Sequence, residues 1–291
     1  KRSIRSCLPE TYWVQAELSD VRSNYSGHCY LEFIQKDVEG NNLIAKARGT
    51  IWSNIYKMLK PYFEQETGQS FTSGIKVLVQ VSVEFHELYG YSLTVLDIDP
   101  TYTVGDMERK RREILRQLEE EGVIDLNKEL EMPLLPQRVA VISSATAAGY
   151  GDFCNQLANN PRGYGFRTEL FPAIMQGERV EESILAALDA IYHRLEEFDV
   201  VVIIRGGGST SDLECYNSYL LAFAVTQFPL PVLTGIGHDN DTSVTDMVAH
   251  TMLKTPTAVA AWLNQRAADL DGALEYCAIS LRDICRQATH S

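Results

Sequence analysis

Apolar and polar residues alternate along much of the first hundred positions, as they do in half-buried β-strands. The alternation predicts five strands, over residues 12–21, 29–35, 43–52, 75–84 and 91–98. Between the third and fourth of these, Ile55, Leu59 and Tyr62 recur at helical spacing and predict a helix over residues 54–66. Three strands, a helix and two strands is the element order of the five-stranded OB barrel, so residues 1–102 are predicted to form an OB-fold domain.

OB barrels commonly bind single-stranded nucleic acid on one open face, where aromatic side chains stack on the bases. Four aromatic side chains are candidate DNA-binding residues: Tyr25, His28, Tyr30 and Trp52. Tyr89 and Tyr91, at a predicted hairpin, extend the set. The alternative for each ring is packing in the barrel core or against the hairpin.

A charged segment follows the predicted barrel, with a narrow apolar stripe formed by Ile114, Leu115 and Leu118. This composition is typical of a solvated connecting helix, which Gly122 would end. Residues 103–132 are therefore predicted to be a helical linker between two domains.

Strand-like and helical segments alternate in the rest of the chain. Buried strands are predicted over residues 138–144, 167–171, 200–204 and 231–236. Helices are predicted over residues 180–197, 218–227 and 257–286. Such alternation indicates a mostly parallel sheet with helices on both faces, so residues 133–291 are predicted to be an α/β domain ending in the start of a helical region. The chain as a whole is predicted to be an α+β multidomain protein, with the OB-fold barrel before the α/β core.

Three of the predicted strands in the second domain end in sequences suited to chemistry, and active sites of parallel sheets gather at that edge. The first leads through small residues into a helix start, where Asp152 could hold a metal, orient a base, or only cap and pack. The second leads into Arg205 and then into a glycine loop, Gly206, Gly207, Gly208 and Ser209. Glycines let the backbone turn around a phosphate while arginine grips it with a bidentate fork, although glycine runs are often only turns.

The third strand end carries His238, followed by the carboxylates of Asp239, Asp241 and Asp246. Acidic neighbours could fix the tautomer of the imidazole and raise its basicity, which makes this group a candidate acid/base cluster. The alternative is a structural histidine.

A second candidate anion site lies at the start of the last predicted helix. Thr255 is its predicted N-cap and Pro256 its first residue. A phosphate could bind there through Thr255 and Thr257, but a plain helix start explains the same residues.

Length and composition limit the possible classes. A chain of 291 residues, 45% of them hydrophobic, can form two globular domains. It has no apolar run of the roughly 18 residues that span a membrane and no apolar signal segment, so it is predicted to be soluble and cytoplasmic, without a membrane partner. Six cysteines without a CxxC pair argue against a zinc ribbon and for reduced thiols. The net charge of −13 alone argues against DNA binding, although local basic surface can still bind phosphate.

Taken in series, these motifs resemble the exodeoxyribonuclease VII large-subunit family. The shared phrases run from residues 14–19 and 26–30, through the segments around Asp152, Arg205 and His238, to the helix start at residues 254–258. The resemblance covers most of the chain. The family usually has Glu where this chain has Asp239, which leaves the role of that carboxylate open.

The resemblance implies an OB domain, a nuclease core and a long C-terminal coiled coil that binds several copies of a small subunit. It implies exonucleolytic hydrolysis of single-stranded DNA from either end, with short 5′-phosphorylated products. The catalytic residues it implies are Asp152, Arg205, His238 and Asp241. It implies no strict requirement for a metal. If Mg²⁺ is used, we expect Asp152 to hold it. The sequence ends before most of the implied coiled coil, so we expect a longer natural chain.

Two other functions fit parts of the sequence. A non-catalytic adaptor that binds single-stranded DNA could keep this fold, although the intact set of Arg205, His238 and Asp241 speaks against it. A nucleotide- or sugar-phosphate-binding α/β enzyme could also carry a β-barrel. That enzyme would bind mononucleotides and not oligonucleotides.

Overall fold

The computed structural model describes residues 8, 10–37, 42–86, 90–177, 179–206, 213–237 and 242–289. The chain divides into two compact units, Lys1–Arg112 and Glu113–Ser291. Among the described residues, no helix combines the length and apolar character that crossing a membrane requires.

The first unit is built on a closed five-stranded barrel with strand order β1-β2-β3-β5-β4. Its strands are β1 (Thr11–Ser23), β2 (Cys29–Lys36), β3 (Leu43–Ile51), β4 (Lys76–His86) and β5 (Gly90–Asp99). Helix α1 (Ser53–Thr67) connects β3 to β4. The parallel pair β3–β5 closes the barrel, and the other neighbouring strands pair antiparallel. The predicted OB-fold barrel is confirmed.

Alternation along the strands places one set of side chains in the barrel core. In β2, Cys29, Leu31 and Phe33 are buried, while Tyr30 between them points outward and is exposed. Helix α1 adds Leu59 and Phe63 to the same core at i, i+4 spacing.

Helix α2 (Pro100–Glu120) contains the boundary between the two units. In its first half the buried carboxylate of Asp106 contacts Arg109 at 2.6 Å, Lys110 at 3.2 Å and Lys76 of β4 at 3.7 Å. Burial alone opposes ionisation of Asp106, but the hydrogen bond from Arg109 and the charges of Lys110 and Lys76 outweigh it, so its pKa is lowered.

The second half of α2 belongs to the core of the second unit, because Leu118 is fully buried there. The predicted apolar stripe is therefore packed, and the helix is not solvated all round. Gly122 adopts a φ of 69°, and the N–H of Val123 donates to the carbonyl of Leu118 at 3.0 Å. This is a Schellman end, which favours glycine at the left-handed position.

The second unit alternates strands and helices in the order β6 (Arg138–Ser143), α3 (Ala148–Ala158), β7 (Arg167–Pro172), α4 (Val180–Tyr192), β8 (Val200–Ile204), α5 (Tyr219–Thr226), β9 (Val232–Gly235), α6 (Val244–Val248), β10 (Thr251–Met252) and α7 (Pro256–Thr289). Among the described residues its sheet has the order β10-β9-β8-β6-β7, and every neighbouring pair is parallel. The predicted parallel α/β core is confirmed. The short elements α6 and β10 were not predicted.

Helices cover both faces of this sheet. Ile184 and Leu188 of α4 pack on one face, and Phe153 of α3 with Val259 and Leu263 of α7 pack on the other. All five residues of the central strand β8 are consequently buried.

The predicted helix over residues 180–197 is wrong in its last turn. Helix α4 ends at Tyr192, and Leu195–Glu197 forms a separate 3₁₀ turn. The guanidinium of Arg194 lies 5.7 Å and 5.4 Å from the ring centroids of Phe171 and Phe198. Apolar periodicity does not report such contacts.

Candidate active site and nucleic-acid interface

Three of the predicted motif-bearing strand ends lie side by side. Strands β9, β8 and β6 are consecutive neighbours in the parallel sheet, so their carboxyl ends meet at one edge. The hydroxyl of Ser143, the last residue of β6, donates to the carbonyl of Ile204 at 2.9 Å. The N–H of Arg205 donates to the carbonyl of Gly235 at 3.3 Å. The structure thus places next to one another the three strand ends that precede the motifs.

Glycines let the backbone segments of this edge approach one another closely. A Cβ on Gly149, in the first turn of α3, would lie 2.8 Å from the Cα of Gly206 and 3.0 Å from the Cγ of Pro256. A Cβ on Gly235 would lie 2.8 Å from the Cγ2 of Val259. The starts of α3 and α7 therefore pack directly on the ends of β8 and β9, in spaces that a side chain would fill.

Arg205 directly follows β8 and is only 4% exposed. Its charge lies where the effective dielectric is lower than in water, which strengthens its electrostatic interactions. This placement suits a cation that holds an anion at the strand edge. Contact with phosphate stays a prediction, as it does for Gly206. A Cβ added to Gly206 would lie 2.8 Å from the Cβ of Ala147.

Asp152 lies in α3 and is exposed, next in sequence to the buried Phe153. Among the residues that the structure describes, it has no hydrogen-bond or ion-pair partner. A catalytic role for Asp152 is consistent with this exposure and stays a prediction.

Five of the predicted site residues lie outside the described residues: Gly207, Gly208, Ser209, His238 and Asp241. Asp239 lies outside them as well. Of the carboxylates that follow His238 in sequence, Asp246 is described and is 2% exposed. Its Oδ2 accepts from the N–H and the hydroxyl of Ser243 at 3.1 and 2.8 Å, in the capping box that begins α6. Asp246 therefore has a structural role, which is to cap the start of α6.

The start of α7 has the predicted form. Helix α7 begins at Pro256, and the hydroxyl of Thr255 accepts from the N–H of Ala258 at 3.1 Å, as an N-cap does. The hydroxyls of Thr255 and Thr257 are 3.0 Å apart, and both residues are exposed. Phosphate binding by the two threonines is untested and stays a prediction.

No group of three or more His, Cys, Asp or Glu side chains within the described part of the chain could hold a metal ion. Mg²⁺ is commonly bound by one or two carboxylates together with substrate phosphates. Of the predicted catalytic carboxylates, Asp152 is the described one that could serve in that way.

A cavity of about 420 Å³ lies elsewhere in this unit, between the end of α3 and the outer side of α7. Its lining includes Asn160, Tyr164 and Asn264. The amide of Asn160 donates to the carbonyls of Leu157 and Tyr164, and the hydroxyl of Tyr164 donates to Asp271. The cavity is at the other end of α3 from the strand edge, so it is separate from the candidate active site.

In the barrel, the predicted DNA-binding aromatics share the outward side of β2 and β3 near the β1–β2 turn. Tyr25 is fully exposed in that turn, and the rings of Tyr30 and Trp52 are 47% and 43% exposed. Tyr30 lies between Arg22 of β1 and Thr50 of β3 in the strand register. Outward aromatic rings at this place form a surface on which bases could stack.

His28 has a different environment from the other three rings. Its Nδ1 accepts from the N–H of Ser53 at 3.1 Å, in the first turn of α1. Its ring packs edge-on against Trp52, with centroids 5.0 Å apart. This contact supports the ring of Trp52, so stacking on a base by His28 itself is less favoured than its supporting role.

The outward side of β2 and β3 also carries charged residues that the sequence patterns did not single out. Arg48 of β3 is exposed and is in register with Glu32 of β2. Hydrogen bonds from Lys46 and Ser19 lower the pKa of Glu32, so it stays ionised and holds Lys46 at 2.7 Å. Arg48 has no ion pair with the described residues. Strand alternation from Thr50 could have pointed to Arg48, since both face outward.

Tyr91, at the start of β5, is 52% exposed, but its hydroxyl donates to the carbonyl of Lys46 at 3.0 Å. Tyr89 lies outside the described residues.

Comparison with known proteins gives two family matches. A model described as exonuclease VII, large subunit, matches residues 123–291, and a model described as an OB-fold nucleic acid binding domain matches residues 1–99. These spans coincide closely with the α/β and barrel regions.

Three curated relatives are each described as exodeoxyribonuclease 7 large subunit. The relative from Deinococcus radiodurans is 36% identical over 262 residues, 88% of this chain and 62% of its own length. The relative from Rhodopirellula baltica is 31% identical over 89% of this chain and 55% of its own length. The relative from a Nostoc species is 32% identical over 85% of this chain and 56% of its own length. This chain therefore spans little more than half the length of these relatives.

The large-subunit model covers more than half of the residues, including the whole parallel sheet and the three strand ends described above. The chain belongs to the exonuclease VII large-subunit family.

Proposed function

We propose that this chain carries the DNA-binding and nuclease parts of an exodeoxyribonuclease VII large subunit. It would hydrolyse single-stranded DNA from either end and release short oligonucleotides with 5′-phosphates. The observation that carries the proposal is the meeting of the β6, β8 and β9 ends at one edge, with Arg205 buried directly after β8. Phosphodiester hydrolysis needs a cation and an acid/base group at one place, and the motifs after these strands supply both residue types.

In the proposed mechanism, water attacks the phosphorus and the 3′-oxygen of the preceding nucleotide leaves. His238 acts as the general base or acid, oriented by Asp241. Arg205 and the amides of the glycine loop stabilise the added negative charge on the phosphate. Asp152 positions the water, and where Mg²⁺ is used Asp152 would hold it, the ion supplying charge stabilisation at the phosphate.

The barrel supplies binding in this proposal. Tyr25, Tyr30 and Trp52 would each stack on an unpaired base, with a gain of roughly 1–3 kcal/mol per base. Paired bases cannot reach such a surface, because their faces are occupied in the duplex. The proposed substrate is therefore single-stranded DNA.

Exposed apolar residues in the last turns of α7 favour binding of a small subunit. Leu274, Leu281 and Ile284 are more than half exposed and are spaced by seven and three residues. That spacing is typical of a coiled-coil seam. We propose that several copies of a small subunit bind along this helical region.

The test is acid-soluble nucleotide release from end-labelled single-stranded DNA, with a matched duplex beside it. The full-length protein with its small subunit would be assayed with and without EDTA. We expect release from the single strand alone, lowered by on the order of 10²–10³ in Arg205→Ala and His238→Ala. Near-full activity of His238→Ala would refute the assigned role of that residue.

Two binding measurements beside this assay separate the two other functions. Tight oligonucleotide binding without release would identify a non-catalytic adaptor. A thermal shift with mononucleotides and none with oligonucleotides would identify a nucleotide-binding enzyme instead.

A further inference from the structure

Two segments that follow the motif-bearing strands are hydrogen-bonded to each other. The first segment, residues 213–218, follows Arg205 in sequence, and the second, residues 242–246, follows Gly237. Both segments contain buried residues. Tyr216 of the first and Thr245 of the second are each 0% exposed.

Two hydrogen bonds connect these segments directly. The hydroxyl of Thr245 donates to the carbonyl of Tyr216 at 2.7 Å. The Oδ1 of Asn217 accepts from the N–H of Val244 at 2.8 Å. The hydroxyl of Tyr216 in turn donates to the carbonyl of Met175 at 2.9 Å, which ties the connection to the sheet's own core.

Both polar atoms of the Asn217 side-chain amide are hydrogen-bonded. Its Nδ2 donates to the Oε2 of Glu214 at 2.9 Å, while its Oδ1 faces Val244. The N–H of Val244 is the first of α6, so no carbonyl within that helix can accept from it. The N–H groups of Ser243 and Asp246 bond within the capping box. The N–H of Val244 donates instead to Asn217, which belongs to the other segment.

We propose that Asn217 and Thr245 are positioning residues for phosphodiester hydrolysis. They would form a brace between residues 213–218, which follow the Arg205 glycine loop in sequence, and residues 242–246, which follow His238. The brace would keep the distance between the cation and the acid/base group constant. This inference rests on the proposed function, and it gives Asn217 and Thr245 a role that the four predicted catalytic residues do not cover. A misplacement of about 1 Å between reacting groups can cost on the order of 10² in rate, so such a brace has a measurable effect.

The first test compares two buried threonines in the full-length protein. Thr245 and Thr226 are 0% and 1% exposed, and each hydroxyl donates to a backbone carbonyl. Thr226 bonds to Phe223 within α5 and connects no loops, so Thr226→Val is the matched control. We expect Thr245→Val to lower kcat on single-stranded DNA by about 10- to 100-fold with little change in KM, and Thr226→Val to lower it by less than about twofold. Equal losses of kcat in the two variants would overturn the brace.

The second test reverses one hydrogen bond. Asn217→Asp keeps an acceptor for Val244 but places a carboxylate against Glu214, so we expect a loss of kcat. Adding Glu214→Gln restores a donor to face the new carboxylate, so the double variant is expected to recover most of the rate. Failure of the double variant to recover, with the fold intact by circular dichroism, would contradict the proposed geometry.

A third measurement does not depend on activity. Hydrogen exchange of the peptide covering residues 242–248 should rise in Asn217→Ala and stay unchanged in Thr226→Val. If the wild-type protein degrades no DNA, the proposed function fails and exchange alone decides whether the brace exists. If exchange rises while activity is kept and His238→Ala is inactive, the positioning role is refuted and the proposed function stands.

Discussion

At the scale of single residues, Asn127 uses its whole hydrogen-bonding capacity on backbone groups. Its Nδ2 donates to the carbonyls of Phe228 and Leu230 at 3.0 Å each. Its Oδ1 accepts from the N–H groups of Val232 and His250 at 2.9 and 3.1 Å. Asn127 is 0% exposed, so water cannot replace any of these partners. One amide thus fixes the entry to β9 and the approach to β10.

Replacing Asn127 with alanine should therefore destabilise the second unit strongly. Each buried backbone group left without a partner costs about 1–3 kcal/mol, so we expect a loss of at least about 3 kcal/mol in Asn127→Ala. Denaturant unfolding measures the change, and the exposed Asn155→Ala in α3 is the control, expected within about 0.5 kcal/mol of wild type. A loss below about 1 kcal/mol for Asn127→Ala would mean that the site relaxes or admits water.

At the scale of elements, one glycine contact sets how closely the start of α3 approaches the strand edge. The space beside Gly149 is filled by the backbone of Gly206, which cannot move aside as a flexible side chain could. Gly151, two residues further along α3, has nothing within 4 Å of its Cβ position. The two glycines are a matched pair, because they share a helix and differ in their surroundings.

We expect Gly149→Ala to lower the free energy of unfolding by about 1–3 kcal/mol, because the added methyl group overpacks the contact. Gly151→Ala should raise it by about 0.5–1 kcal/mol, because alanine favours the helix. Melting temperatures of the two variants give the comparison. Stabilisation by both substitutions would show that α3 is not held tightly against the β8 end.

Some of this second unit could be predicted locally and some could not. Helix α5 and strand β8 follow from almost uninterrupted apolar runs and were predicted within one residue at each end. Helix α6 and strand β10 span five and two residues, too few for a period to be visible. They form because the Ser243 capping box and pairing with β9 stabilise them, and both depend on the neighbouring chain.

At the scale of the whole molecule, the proposed binding of DNA by an acidic chain requires a local surface suited to it. The net charge is −13, and several cations of the barrel face are paired with acids, such as Lys46 with Glu32 and Lys36 with Glu17. Arg48 is exposed on that face beside the Tyr30 region. Stacking should therefore carry most of the affinity, with a modest electrostatic part.

Salt titration of oligonucleotide binding separates the two contributions. We expect Arg48→Ala to reduce the slope of log K against log salt by about 0.7, the release of one counterion from a single strand. Tyr30→Ala should weaken binding by about 1–3 kcal/mol and leave the slope unchanged. Arg116→Ala, on the exposed side of α2, is the control for general charge. Equal effects of Arg48→Ala and Arg116→Ala on the slope would place the DNA elsewhere.

The sequence by itself determined the fold class, the order of the long elements and the family. These properties follow from local hydrophobic periods and short motifs, because a strand or helix that buries one face needs apolar residues at fixed spacing. The N-cap at Thr255 and the glycine end at Gly122 are equally local, and both were predicted.

Only the tertiary structure decided which side chains meet. The closure of the barrel by β3 and β5, the support of Trp52 by His28, and the bonds of Asn127 and Asn217 join positions about 25 to more than 100 residues apart. No period or motif encodes such pairs, because each contact depends on where the intervening chain has already packed.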